Sequence, residues 1–445
     1  MNLKSKLRNR HFLSFSGNIV VSVLSLVSVM ILTRTLSLEI FGVWVFFQSI
    51  LILVDTFRSG FITNGFIKFY SGASPEKATD VEGSAWFIAL CITGIMTILN
   101  VFAFFLLPFV KDEGLQSLIR WFWLPFWVGL PFYMTTCATQ ASQRFDRLLV
   151  VRLISQGSFV ITLLLLAFFS QLTLKAVIIS YSATFGLSGI FCLLKGWISL
   201  GSLLHRTKAT TSELFHFGKY TVGTILSANL FKVTDTLVIN FWLGPAAMAV
   251  YNVGQRLMEI VEIPLRSFLA TSMPELSALY NQDKHSELIE RMKKYIGILT
   301  ICLVPVCLLF LPLADAAILF IAGPKYVGTE AATVFRLFMT FALLYPAERF
   351  FATTLDVIHL PKINFYKVLI MLVANVVFDV LGVIIFRNVY GIVLATVVPT
   401  LIGAVVGYWG INRFFMRFSF IDAYRKGAVT IQQYLRRHMF VAKST

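Results

Sequence analysis

Charge is scarce in this chain. Lysine, arginine, aspartate and glutamate make up 13% of its 445 residues, about half of what a soluble domain carries. That argues against a soluble globular protein. Histidine is also rare, with six scattered copies, and no catalytic triad, phosphate loop, metal motif or cofactor-binding motif appears. The five cysteines, Cys91, Cys137, Cys192, Cys302 and Cys307, all sit in apolar runs. They have neither disulfide nor metal spacing and read as small buried hydrophobes. Strict alternation of polar and apolar residues is missing, which excludes a membrane barrel. Long loops are missing too. The largest, 197–216 and 271–294, are too small to be enzymatic domains, so no enzyme is expected.

What the chain has in abundance is apolar residue, 57% of the total, with a mean hydropathy of +0.79. Apolar runs of roughly 20 residues, enough to span a bilayer core, recur throughout. They predict helices over 12–33, 40–62, 84–109, 119–141, 150–170, 174–196, 217–242, 246–270, 295–321, 331–354, 364–386 and 390–412, followed by a basic tail. The basic N-terminus before the first run faintly resembles a signal peptide. The run is too long for one and lacks a small-residue cleavage site, so a retained first helix is expected. Residues 275–294 mix both charge signs with apolar residues at helical spacing. They predict a short amphipathic helix on the cytoplasmic surface.

Twelve spans put both termini on one side. With the N-terminus in the cytoplasm, 26 lysines and arginines fall on inside segments and 6 on outside ones. The positive-inside rule then sets both termini inside. The same count explains most of the +16 net charge as topology and contact with anionic lipid, and nucleic acid drops out as a partner.

The two halves also echo each other. At a constant offset of 207, Leu36 matches Leu243, Gly42 matches Ala249, Trp44 matches Tyr251 and Gln48 matches Gln255; Val54-Asp55 matches Val261-Glu262. This predicts two six-helix bundles of parallel topology. Their expected bounds are 1–196 and 217–412, with a linker at 197–216 and a tail at 413–445.

The sharpest feature is VGQRLMEIVEIPLRSFLATSMPEL, residues 253–276. It is long and apolar enough to span, yet carries Arg256, Glu259, Glu262 and Arg266. A charge at mid-bilayer costs roughly 2.5–3.5 kcal/mol on insertion scales. Steps of three, three and four residues keep the four within one arc of about 120°. That face must meet a wet cavity or other helices, and Pro264 is expected to break the ladder between Glu262 and Arg266. Other embedded charges are Asp55 and Arg58, Lys232 and Asp235, Arg336, Glu348 and Arg349, and Asp379. The plainest reading is internal ion pairing: Glu259 with Arg256, Glu262 with Arg266, Asp235 with Lys232. The set as a whole exceeds what helix packing needs, which favours function. Arg256, Arg266, Arg58, Lys232 and Arg349 are candidate anion-binding residues, arginine being suited to phosphate. Asp55, Asp235, Glu259, Glu262 and Asp379 are candidates for ion coupling or charge pairing. Prolines 125, 131, 264, 305, 312, 346 and 399 permit kinks. The aromatics Trp121, Phe122, Trp123, Phe126 and Trp127 read as an interfacial belt.

The opening FSGNIVVSVLSLVSVMILTRTLSLEIFGVWVFFQSILIL, and TDTLVINFWLGPAAMAVYNVGQRLMEI in the second half, resemble the bacterial polysaccharide repeat-unit flippases. These include the O-antigen flippases of the multidrug/oligosaccharidyl-lipid/polysaccharide exporter superfamily. The resemblance implies a MATE-like, all-α polytopic fold: a V-shaped pair of six-helix bundles around a central cavity. It implies alternating access coupled to an ion gradient, in the bacterial inner membrane. The implied cargo is an undecaprenyl-pyrophosphate-linked oligosaccharide, with a polysaccharide polymerase and a chain-length regulator as partner proteins. Alternatives stay open: a small-molecule antiporter of the same superfamily, a lipid II flippase (which usually has two further helices), a membrane glycan polymerase or acyltransferase, and a non-transporting scaffold.

Overall fold

The structure is a computed structural model and describes residues 10–441, except for the side chains of 10–16, 18, 220, 224, 227, 228, 232 and 434–441. Among the described residues all regular structure is helical. The helices are α1 Arg10–Thr35, α2 Leu38–Tyr70, α3 Pro75–Phe105, α4 Glu113–Trp121, α5 Trp123–Val128, α6 Leu130–Ala141, α7 Phe145–Phe168, α8 Leu174–Leu194 and α9 Lys208–Trp242. They continue as α10 Pro245–Leu257, α11 Glu259–Asn281, α12 His285–Ala322, α13 Ala331–Phe341, α14 Tyr345–Val357, α15 Pro361–Phe386, α16 Val389–Ala395, α17 Val397–Phe414 and α18 Ile421–Val441. Every span expected from the sequence falls on helix. Among the described residues, seven helices are long and apolar enough to cross a membrane, and the chain is a multi-pass membrane protein.

Prolines explain why several expected spans arrive in pieces. A proline has no N–H, and its ring presses on the carbonyl four residues back. The interruptions follow that geometry. Phe122 stands just after the carbonyl crowded by Pro125 and Gly129 two residues after the one crowded by Pro131, a 3-10 turn at Ala342–Leu344 begins at the one crowded by Pro346, and Thr396 follows the one crowded by Pro399. The span around Arg256 departs from expectation. α11 runs through Pro264 and Pro274 without interruption. The break lies instead at Met258, whose N–H donates to the Gln255 carbonyl in a tightened turn. Arg256 and Glu259 therefore belong to different helices. The separate amphipathic helix expected at 275–294 is also absent: its first part completes α11 and its last part opens α12. The two meet at a turn where Asp283 takes a φ of 57°. The basic tail carries a helix, α18.

The chain divides into two units, Met1–Ala249 with Ile321–Gly323, and Val250–Phe320 with Pro324–Thr445. The sequence places the linker between its expected bundles at 197–216; in the present division α9 packs along α2 within the first unit. There the core joins Ile62 and Phe66 of α2, Val81, Ala85 and Trp86 of α3, Met134 and Cys137 of α6, and Leu214 of α9. Gly42 allows a backbone contact in this unit: a Cβ there would lie 1.7 Å from the Pro245 carbonyl oxygen. The core of the second unit joins Leu276 of α11, Leu288, Met292 and Ile296 of α12, Phe350, Phe351 and Leu355 of α14, Ile411 of α17 and Ala423 of α18. Large apolar side chains such as Phe105, Phe168, Leu308 and Ile385 are exposed, as expected where lipid replaces water as the solvent.

Candidate functional site: two sets of embedded charges

In the first unit, Asp55 and Arg58 lie three apart on α2, with carboxylate and guanidinium 2.5 Å apart. Arg58 is buried. Its Nη1 donates to the Phe126 carbonyl at 3.1 Å, beside the interruption that precedes Pro131. Its guanidinium carbon lies 4.5 Å from the Phe126 ring centre and 4.6 Å from that of Tyr133, a desolvated cation–π arrangement. The Tyr133 hydroxyl is 3.0 Å from Thr63 Oγ1, and Asn229 of α9 donates to Thr56 at 2.8 Å. Asp235, also on α9, is buried and has a partner. The side chain of Lys232 lies outside the described residues, so its expected pairing with Asp235 does too.

In the second unit, Arg256 Nη1 donates to Glu259 Oε1 at 3.2 Å, across the break at Met258. Glu262 accepts from Arg266 Nε at 3.0 Å. Its other oxygen lies 3.7 Å from Arg349. Arg349 Nε is 3.6 Å from Glu348, and Glu348 accepts from Lys367 Nζ at 2.8 Å. Arg266, Glu262, Arg349, Glu348 and Lys367 thus alternate in sign across α11, α14 and α15. Exposure falls from cation to cation along the row: the Arg266 side chain is 69% exposed, that of Arg349 50% and that of Lys367 1%. Three cations face two carboxylates, so the row has one positive charge in excess, and its most accessible members are arginines.

The structure brings together Arg266, Glu262 and Arg349, and separately Arg256 with Glu259 and Arg58 with Asp55. Asp379 stands apart. It is buried on α15, accepts from Asn375 at 2.8 Å, and lies twelve residues or roughly 18 Å along the helix from Lys367. Lys367 is the member sequence reasoning missed. It counts there as a cytoplasmic flanking cation, yet it is buried. Its signal is a lysine just inside the run expected at 364–386, less than one turn from its start. Tyr133 and Thr63 were missed because nothing local marks them as neighbours of Arg58.

A family model described as polysaccharide biosynthesis protein matches residues 31–330. No curated protein matches the chain in sequence. Among solved structures, the chain resembles the lipid II flippase MurJ in an inward closed conformation, with a TM-score of 0.73 and 15% identity over 96% of this chain and 92% of that one. It also resembles an inward-facing multidrug resistance MATE transporter of the MOP superfamily, with a TM-score of 0.74 and 13% identity over 88% and 94% of the two chains. A Vibrio cholerae MATE transporter aligns with a TM-score of 0.60 and 12% identity, over 93% of this chain and 98% of that one. The chain therefore belongs to the polysaccharide biosynthesis protein family, built on the fold that MurJ and the MATE transporters share.

Proposed function

We propose that the protein is a flippase. It moves undecaprenyl-pyrophosphate-linked oligosaccharide repeat units, of O-antigen or a similar surface polysaccharide, from the cytoplasmic to the periplasmic leaflet of the bacterial inner membrane. It works by alternating access, draws on an ion gradient, and has both termini in the cytoplasm. The observation that carries this reading is the Arg266–Glu262–Arg349 bridge. One carboxylate is shared by two guanidiniums that are half-exposed or more. An incoming pyrophosphate or anionic sugar offers both guanidiniums a better-matched, bidentate partner than the shared carboxylate. Cargo binding then exchanges one set of ion pairs for another, without leaving a naked charge in the membrane. Arg256, paired with Glu259, is a second exchangeable cation, and Arg58 and Lys232 complete the cationic set. Asp55, Asp235 and Asp379 carry the coupling ion. A polysaccharide polymerase and a chain-length regulator act downstream as partners.

A second reading is a lipid II flippase, favoured by the likeness to MurJ across nearly the whole chain. One experiment separates the two. Undecaprenyl-linked glycans are labelled in spheroplasts after depletion of the protein, then probed from outside with an impermeant lectin or glycosidase. Repeat units that are intact but unreachable support the proposal. Unreachable lipid II supports the second reading. If both glycans stay as accessible as before depletion, the protein flips neither.

A further inference from the structure

The second unit holds a charged cavity that the transport reading does not use. It has a volume of about 580 Å³ and lies between the start of α12 and α18, lined by Glu290, Arg291, Lys294, Asp422, Arg425 and Lys426, with Val429 and Thr430. The size is that of a small-molecule site rather than a crevice between side chains.

Its walls are held together backbone to backbone. A Cβ at Gly297 of α12 would lie 2.0 Å from the Ala423 carbonyl oxygen, and one at Gly427 would lie 2.3 Å from the Gly297 carbonyl carbon. Ala423 is fully buried beneath this contact. The cations of α12 and α18 are thereby kept in fixed register.

The charges do not cancel. Glu290 is taken up by two lysines, Lys293 at 2.6 Å and Lys426. Arg291 shares Glu275 at 3.4 Å. Lys294 and Arg425 face the cavity with no carboxylate within ion-pair distance among the described residues, and Asp422 is the single carboxylate of the lining left to oppose them. On α18, Ile421 and Val429 expose apolar side chains beside these cations, the pairing of an interfacial helix.

We propose that this cavity binds a phosphate group through Lys294 and Arg425, with Arg291 as third donor. The group comes either from the headgroup of an anionic phospholipid or from a soluble diphosphate. Arginine supplies the planar fork and lysine a mobile point charge for phosphate oxygens. The site is separate from the Arg266–Arg349 row and does not depend on what the protein transports.

The test uses the full-length protein purified in neutral detergent. Native mass spectrometry measures binding of phosphatidylglycerol against phosphatidylcholine of the same chain length, and a parallel titration uses inorganic pyrophosphate. The wild type should prefer phosphatidylglycerol or bind pyrophosphate, and Lys294→Ala with Arg425→Ala should lower that binding roughly thirtyfold, at about one kcal/mol per cation removed. Exchanging the two residue types, Lys294→Arg with Arg425→Lys, should retain most of it. Dependence on the two residues for phosphatidylglycerol alone identifies a lipid site, and for pyrophosphate alone a soluble-anion site. Binding of both anions that is unchanged in the alanine pair, or absent from the wild type, overturns the proposal.

Discussion

Lys367 Nζ donates to Glu348 Oε1 at 2.8 Å, with the lysine only 1% exposed. Removing one partner of a buried pair costs about 3–5 kcal/mol where it strands the other as an uncompensated charge, and without Lys367 the Glu348 carboxylate keeps only Arg349, 3.6 Å away. Lys367→Met should therefore destabilise the protein, by less than that full cost. Lys367→Met combined with Glu348→Gln should recover much of the loss. Thermal unfolding in detergent checks this, and a double variant no more stable than the single one would show that the pair is not the cause.

Arg266 and Arg349 share Glu262, and each is half-exposed or more, so replacing either should leave folding nearly intact. Arg266→Ala and Arg349→Ala should each lower glycan exposure at the outer surface roughly tenfold, the worth of a charged hydrogen bond of about 1.5 kcal/mol. Lysine at either position should restore less than half, lacking the planar fork. The spheroplast assay reads this at matched protein level; full activity in both alanine variants would sink the cation assignment.

Arg58 packs against Phe126 and Tyr133 while pairing with Asp55. Tyr133→Leu removes a ring and should cost about 1–2 kcal/mol or more once the desolvated cation–π contact is lost. Tyr133→Phe keeps the ring and loses only the hydroxyl contacts to Thr63 and to the Arg58 carbonyl oxygen, a smaller effect. Equal losses in the two variants would assign the stabilisation to the hydroxyl instead.

Gly42 lies where a Cβ would meet the Pro245 carbonyl at 1.7 Å. The obstacle is backbone and cannot rotate away. Gly42→Val should destabilise by at least about 1–3 kcal/mol, the usual cost of overpacking. Normal expression and an unchanged melting temperature for Gly42→Val would contradict this contact.

Orientation is open to direct test in a cysteine-free background. Single cysteines at Gln171 and Thr329 should react with an impermeant thiol reagent from outside the cell. Cysteines at Gln143 and Asp283 should react only after permeabilisation. The reverse pattern would overturn the placement of the termini in the cytoplasm.

Much of this protein is legible in one dimension. Where lipid is the solvent, every backbone polar group must be satisfied within its own segment, so long apolar runs declare helices locally. Proline acts just as locally, through the carbonyl four residues back, yet unevenly: interruptions accompany Pro125, Pro131, Pro346 and Pro399, whereas helices run on through Pro264, Pro305 and Pro312. The pairing of Arg266 with Glu262 was readable too, because partners four residues apart meet on one helical face; that of Arg256 with Glu259 was read on the same ground but forms across the break at Met258.

The rest depends on residues far apart in the chain. That Glu262 also reaches Arg349, that Lys367 is buried against Glu348, and that α9 packs along α2 rather than opening the second unit are matters of which helix lies beside which. Hydropathy carries no such information, because one apolar helix face is as acceptable to lipid as another. Backbone contacts such as Gly42 on Pro245 and steric fit choose the neighbours. Composition and periodicity by themselves determined a polytopic helical protein with charges that must avoid lipid; only the tertiary structure decided which partners those charges keep, because an ion pair depends on distance in space.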